Sequence, residues 1–172
     1  VALTDDLRET IRADIAGYAS GGLRVLGAAY RPLPAGLPRT ADAVEEELIF
    51  LGFAGILDPP RPEAAEAIRL CRSAGIDVIM ITGDNPLTAY AIAEDLGLPS
   101  EGALTGTDLE ALTDDELEER LRVTKVLSRV TAAHKLRVID ILSRERAVIA
   151  MTGDGVNDAP ALKKASIGIA MG

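Results

Sequence analysis

The 172-residue chain has no tryptophan, one cysteine, one histidine and only 3% aromatic residues. A core without large rings must be built from Ala, Val, Ile and Leu, which dominate its 48% apolar content. The single cysteine, Cys71, excludes an internal disulfide and suits a reducing compartment. No apolar run reaches the roughly 18–20 residues that a membrane-spanning helix needs. The first residues, Val-Ala-Leu-Thr-Asp-Asp, lack both a basic n-region and an initiator Met, so they do not read as a signal peptide. Cations are scarce: 18 Lys and Arg stand against 27 Asp and Glu, a formal charge of −9. That balance excludes a nucleic-acid binder, which needs clustered cations for phosphate. The apolar content in turn excludes a disordered segment. These limits predict a soluble, intracellular, globular chain of one ordinary or two small domains, with ends that look like cuts in a longer protein.

The first sixty residues differ from the rest. Leu7, Ile11 and Ile15, spaced four apart behind early acids, predict a helix over Thr4 to Ala19, stopped at Gly21-Gly22. Leu23 to Tyr30 reads as a strand. Arg31 to Arg39 carries three of the nine prolines and reads as a loop. The apolar run Leu48 to Leu57 ends at Asp58-Pro59-Pro60, and prolines cannot extend a buried ladder. A hinge or boundary is expected at Asp58–Pro62, dividing the chain into 1–57 and 58–172.

Beyond the hinge, helix and strand alternate. Helices are expected over Glu63–Ala74, Leu87–Leu96, Asp114–Arg122, His134–Glu145 and Pro160–Lys164. Strands are expected over Ile76–Thr82, Lys125–Val130 (the weakest), Ala147–Thr152 and Ile167–Met171, with a turn-rich stretch at Gly102–Asp108. Apolar strands between amphipathic helices predict an α/β fold with a mostly parallel sheet covered on both faces. Such sheets bind ligands at the carboxyl ends of their strands.

Two of those strands end in one tripeptide. Ile79-Met80-Ile81 runs into Thr82-Gly83-Asp84, and Ile149-Ala150-Met151 into Thr152-Gly153-Asp154. The second continues as Gly155-Val156-Asn157-Asp158. This spacing sets Asp154 at a strand terminus and Asp158 in the next turn, where both carboxylates can meet one hard cation. Gly153 and Gly155 let backbone approach a phosphate, and Asn157 adds a neutral polar group. A magnesium ion fits such a pair. Asp-Gly also reads as a hairpin turn, but Pro160 and Lys163-Lys164 favour a turn into a helix. The spacing does not fit an EF-hand.

The Thr82 hydroxyl can bond a phosphoryl oxygen or serve as a local cap. Lys135 opposes the dipole at the start of its helix, which suggests a charge kept for a phosphoryl group; a solvated lysine is the plain alternative. His134 reads as structural, and Cys71 as a small inward-facing residue.

These residues resemble the P-type cation-transporting ATPases. The motifs are Asp58-Pro59-Pro60-Arg61, Met80 to Pro86 (MITGDNP), Ser128-Arg129-Val130 leading to His134-Lys135-Leu136, and Thr152 to Lys163 (TGDGVNDAPALK). The resemblance covers nearly the whole chain. It implies a haloacid dehalogenase-like Rossmann fold for 58–172, the phosphorylation domain, and the C-terminal part of an α+β nucleotide-binding domain for 1–57. The block from Thr105 to Leu109, with its acidic helix, is similar to the calcium, sodium/potassium and proton pump branches.

The resemblance also implies roles. Asp154 and Asp158 would be magnesium ligands, with Asn157 beside the metal and phosphoryl site. Thr82, Gly83 and Lys135 would contact the transferred γ-phosphoryl of ATP. Asp84 and Arg129 would lie near the ribose, and Arg61 near the nucleotide. Arg24 would reach the ATP phosphates. The implied cofactor is Mg2+, the substrate ATP, and the place the cytoplasmic face of a membrane. The implied partners are the rest of the nucleotide-binding domain, the actuator domain and the membrane helices.

Two departures stand out. The family's phosphorylated Asp-Lys-Thr-Gly-Thr is absent, and Asp58, followed by Pro-Pro-Arg, only imitates it. Ser166 stands where the family has Asp. The chain alone is therefore expected to be inactive, and a parallel sheet without its first strand is expected to expose edges that invite a partner or self-association. The rival readings are a free-standing magnesium-dependent phosphatase using Asp58, and a non-catalytic nucleotide or magnesium module.

Overall fold

A computed structural model describes residues 4–34, 36, 40–144, 147–153 and 156–171. The chain divides into two compact units between Pro59 and Pro60.

In the first unit, α1 (Asp5–Ser20) starts at Thr4, whose hydroxyl accepts from the Leu7 N–H at 3.4 Å, and stops at Gly21. Gly22 takes a positive φ of 80° and turns the chain into β1 (Arg24–Tyr30). A short helix, α2 (Ala41–Val44), leads to β2 (Ile49–Ile56). The strands pair antiparallel from Arg24 opposite Ile56 to Tyr30 opposite Ile49, with a bulge between Ala28 and Ala29. The helix meets the hairpin edge-on, the rings of Tyr18 and Phe53 lying 5.5 Å apart at 69°.

The second unit opens with α3 (Pro62–Ser73), its proline at the first turn, where a missing N–H costs nothing. Then come β3 (Met80–Thr82), α4 (Pro86–Asp95), β4 (Leu104–Thr105), α5 (Gly106–Ala111), α6 (Asp114–Val123), β5 (Val126–Ser128) and α7 (Ala132–Arg144). The chain closes with β6 (Ala150–Gly153), a 3-10 turn (Val156–Asp158), α8 (Ala159–Lys164) and β7 (Ile167–Ala170). This is the α/β alternation expected, but the parallel strands form two sheets. One has the order β3-β5-β4, and the other is β6-β7. Among the described residues, β3 and β6 each leave one side without a ladder partner.

Several elements depart from expectation. Only Met80–Thr82 of the apolar run from Ile76 enters a ladder, and it is half-buried, because β3 is an edge. The weakest expected strand proves to be central: Val126, Leu127 and Ser128 are fully buried between β3 and β4. The buried Ser128 hydroxyl donates to the Leu104 carbonyl at 3.4 Å, which offsets its desolvation. Part of the turn-rich stretch is helix α5, started by a capping box. The Thr105 hydroxyl accepts from the Asp108 N–H, and the Asp108 carboxylate accepts from the Thr105 N–H at 2.7 Å.

The main core lies under this first sheet, where Leu104, Leu109, Leu117, Leu121 and Leu127 pack with Val138 and Ile141 of α7. A smaller cluster joins Ala89, Ala93, Leu98 and Val126. Burying each large side chain contributes about 1.5–3 kcal/mol. Helix α7 also lies against α8, which covers β6 and β7, so it ties the two sheets together.

Candidate active site

Parallel strands aligned in register bring their carboxyl ends into rows. Thr82, Ser128 and Thr105 are neighbours across the first sheet, and Gly153 faces Ala170 in the second. Of the expected residues of the second unit, Thr82, Gly83 and Asp84 lie at or just beyond the end of β3, Arg129 follows β5, and Asn157 and Asp158 lie in the turn after β6.

Thr82 closes β3, half-buried. Its hydroxyl lies 3.1 Å from the Asp84 carboxylate, to which it donates, and it accepts from the Asp84 N–H, also at 3.1 Å. The structure thus shows the local-cap role of Thr82, its hydroxyl engaged with Asp84 in a turn. The next residue, Gly83, is exposed with open space where a Cβ would stand, so its backbone is open to approach. Asn85 then caps α4, its side chain accepting from the Leu87 N–H at 2.9 Å.

Among the described residues, Asp158 is the most buried of the expected polar ones, at 7% exposed. It ends the 3-10 turn and forms an ion pair with Lys135 from the first turn of α7, the lysine side chain being 19% exposed. The two residues are 23 positions apart, so the fold has brought them together. Burying such a pair costs desolvation, and breaking it by removing one partner costs more. Gly153 makes room for it, since a Cβ there would lie 2.8 Å from both Cβ and Oδ2 of Asp158. The glycine of the second Thr-Gly-Asp is thus required by packing, whereas that of the first is not. Asn157 is exposed in the same turn. Asp154 and Gly155 lie outside the described residues, so the expected carboxylate pair is described only for Asp158. Among the described residues, no three His, Cys, Asp or Glu side chains converge as a metal cluster.

Arg129 follows β5, exposed, in the left-handed region at φ 51°. A non-glycine residue there is strained by about 1–3 kcal/mol. Arg24 opens β1 in the first unit, and Arg61 precedes α3 in the second, both exposed. Asp58 follows β2, a strand of the antiparallel hairpin and not of either parallel sheet.

Two features lay beyond sequence reasoning. The His134 ring accepts from the Thr131 N–H at Nδ1 (3.2 Å), so its Nε2–H points to the Glu110 carboxylate at 3.1 Å. The other is Arg137, which bonds the corner between α5 and α6. Its partners are 23 to 28 positions away, and no local spacing signals them.

Residues 5–166 match the haloacid dehalogenase-like hydrolases, and the chain belongs to that family. Within it, the chain is 47% identical over 171 residues to Calcium-transporting ATPase 1 of Lactococcus lactis, covering 98% of this chain and 20% of that protein. Identity to the calcium-transporting ATPase of Bacillus subtilis is also 47%, over 90% of this chain and 18% of the relative. The Cation-transporting ATPase pma1 of Synechocystis is 45% identical over 96% of this chain and 19% of its own length. The chain thus spans about a fifth of the relatives it matches. Among the described residues, no helix is long and apolar enough to cross a membrane.

Proposed function

We propose that this chain supplies the magnesium- and phosphoryl-binding half of the phosphorylation site of a P-type cation-transporting ATPase, on the cytoplasmic face of a membrane. Residues 58–172 are its phosphorylation domain, and residues 1–57 the end of its nucleotide-binding domain. The observation that carries this reading is the part-buried Lys135–Asp158 pair, whose aspartate packs on Gly153 at the carboxyl end of β6. It occurs in a chain so similar to calcium-transporting pumps.

The residues fit a hard cation. The Asp158 carboxylate is an oxygen donor in a cradle that a Cβ at position 153 would fill. Asp158, with Asp154, would hold Mg2+, which when bound supplies positive charge against the phosphoryl oxygens of ATP. Lys135 places its ammonium at the same point and stabilises charge that spreads over those oxygens during transfer. The Thr82 hydroxyl and the Gly83 N–H orient the phosphoryl group, Thr82 exchanging its bond to Asp84 for one to the substrate. Asn157 supports the metal site. Asp84, Arg129, Arg61 and Arg24 serve the nucleotide. The accepting aspartate belongs to a further segment of the pump, along with the actuator and membrane parts. The open sides of β3 and β6 are where a strand bearing it, or a second copy, would pair.

The rival phosphatase needs a nucleophile at the end of a parallel strand. Its one candidate, Asp58, follows an antiparallel strand instead. Radiolabelled ATP with magnesium tests the proposal. The chain alone should form no acid-stable, hydroxylamine-labile phosphoenzyme. A longer polypeptide that adds an Asp-Lys-Thr-Gly-Thr strand should form one, and Lys135→Ala should suppress it. Phosphorylation of the isolated chain would sink the reading.

A further inference from the structure

Lys135 reaches Asp158 only if α7 holds the right height and rotation against α8. Lys135 with Asp158 and Asp140 with Lys164 tie α7 to α8 and the turn before it, while Val138 and Ile141 pack it on the main core without directional bonds. A directional contact on the core side would fix its height and rotation. Arg137 lies two residues from Lys135, about 200° around the axis. Its Nε donates to Asp114 Oδ1 at 2.9 Å, its Nη2 to the Leu112 carbonyl at 2.7 Å, and its Nη1 to the Leu109 carbonyl. Leu109 is in the last turn of α5, where carbonyls lack intrahelical partners, and Asp114 opens α6. Arg144, near the end of α7, bonds the same Asp114 carboxylate. The α5–α6 corner itself is rooted in the main core through Leu109 and Leu117, each at most 1% exposed.

We propose that Arg137 is the positioning residue for Lys135, anchoring α7 to the α5–α6 corner so that the lysine ammonium is held at Asp158. The planar guanidinium suits the task, because one fork binds three acceptors in fixed directions, which a lysine cannot do. Asp114 answers it as an ionised carboxylate, held below its ordinary range by the hydrogen bonds from Arg137 and then Arg144. The proposal rests on the pump reading only for its catalytic consequence. The geometry of Lys135 can be read in the chain by itself.

The experiment is sparse acetylation of the folded chain at neutral pH, with mass spectrometry comparing Lys135 with the exposed Lys163. Arg137→Gln should raise the Lys135 to Lys163 labelling ratio several-fold, towards the ceiling set by Asp158→Asn. Asp114→Asn should do the same from the other side of the contact, and Arg137→Lys should fall between. If Arg137→Gln does not fold, Asp114→Asn and Arg137→Lys carry the test. A lowered thermal midpoint with the wild-type labelling ratio would overturn the proposal and leave Arg137 a purely structural residue. The phosphoenzyme assay above judges the pump reading separately, so the two ideas fail independently.

Discussion

The two parallel sheets of the second unit end in the same Thr-Gly-Asp, yet they are built on opposite terms. In the first, β5 is sealed on both sides and roofed by leucines, and Leu127 is fully buried. In the second, Ile167 and Ile169 of β7 are 51% and 45% exposed. The tripeptides differ to match. Gly83 stands in open space, while Gly153 is pressed on Asp158. The lesson is that a repeated motif specifies a strand end, and the packing around it decides what each of its residues must be. Here the loosely covered sheet carries the more constrained site.

That contrast can be broken first at the cores. Leu127→Ala should cost about 2–5 kcal/mol, from lost transfer energy and a residual cavity. Ile169→Ala, on a half-exposed face, should cost less than about 1 kcal/mol. Chemical denaturation of both variants checks this, and equal losses would erase the distinction between the sheets.

Backbone crowding gives the next effect. A Cβ on Gly168 would lie 2.3 Å from the Leu162 carbonyl oxygen, so Gly168→Ala must push β7 away from α8. A loss of about 3 kcal/mol is expected in thermal unfolding, at the upper end of overpacking costs. Gly153→Ala should cost about 1–3 kcal/mol for the same reason. Gly83→Ala should stay within about 0.5 kcal/mol. A penalty at Gly83 as large as that at Gly153 would show that the two tripeptides are constrained alike.

Smaller effects belong to the caps beneath the first sheet. Thr105→Ala removes the start of α5 and should cost about 1 kcal/mol. The same hydroxyl, with the Thr105 N–H, holds the Asp108 carboxyl below its ordinary range, and Thr113 does so for Glu116 through its N–H and hydroxyl. A depressed carboxyl adds stability above its unfolded pKa, near about 4. That stability is lost as pH falls through the lower folded value. Acid titration of the thermal midpoint should therefore show a drop below about pH 4 that is shallower in Thr105→Ala.

Much of this was legible in the residues. Gly21 and Gly97 close the helices before them, and Pro62 and Pro86 open those that follow, because proline suits a first helical turn and glycine tolerates the backbone that ends one. The candidate site was legible as strand ends because its glycines follow apolar runs. What failed depended on neighbours. The polar Lys125, Ser128 and Arg129 made β5 look weak, although its position between two strands makes it the most buried. Ile76 made β3 look long, although its edge position leaves that residue 55% exposed. Helix α5 hid behind a glycine at its first position, and only the reciprocal Thr105–Asp108 bonds reveal it. The Arg137 anchor is a contact across the fold, invisible to any periodicity.

The strand order β3-β5-β4 also sets a schedule for synthesis. The middle strand is the last of the three to leave the ribosome, so β3 and β4 have nothing to pair with until Ser128 has emerged. At about 5–20 residues per second, the roughly 46 residues from Thr82 to Ser128 leave an apolar strand waiting for seconds. A translational pause placed before β5 should therefore increase aggregation of the nascent chain more than one placed after it.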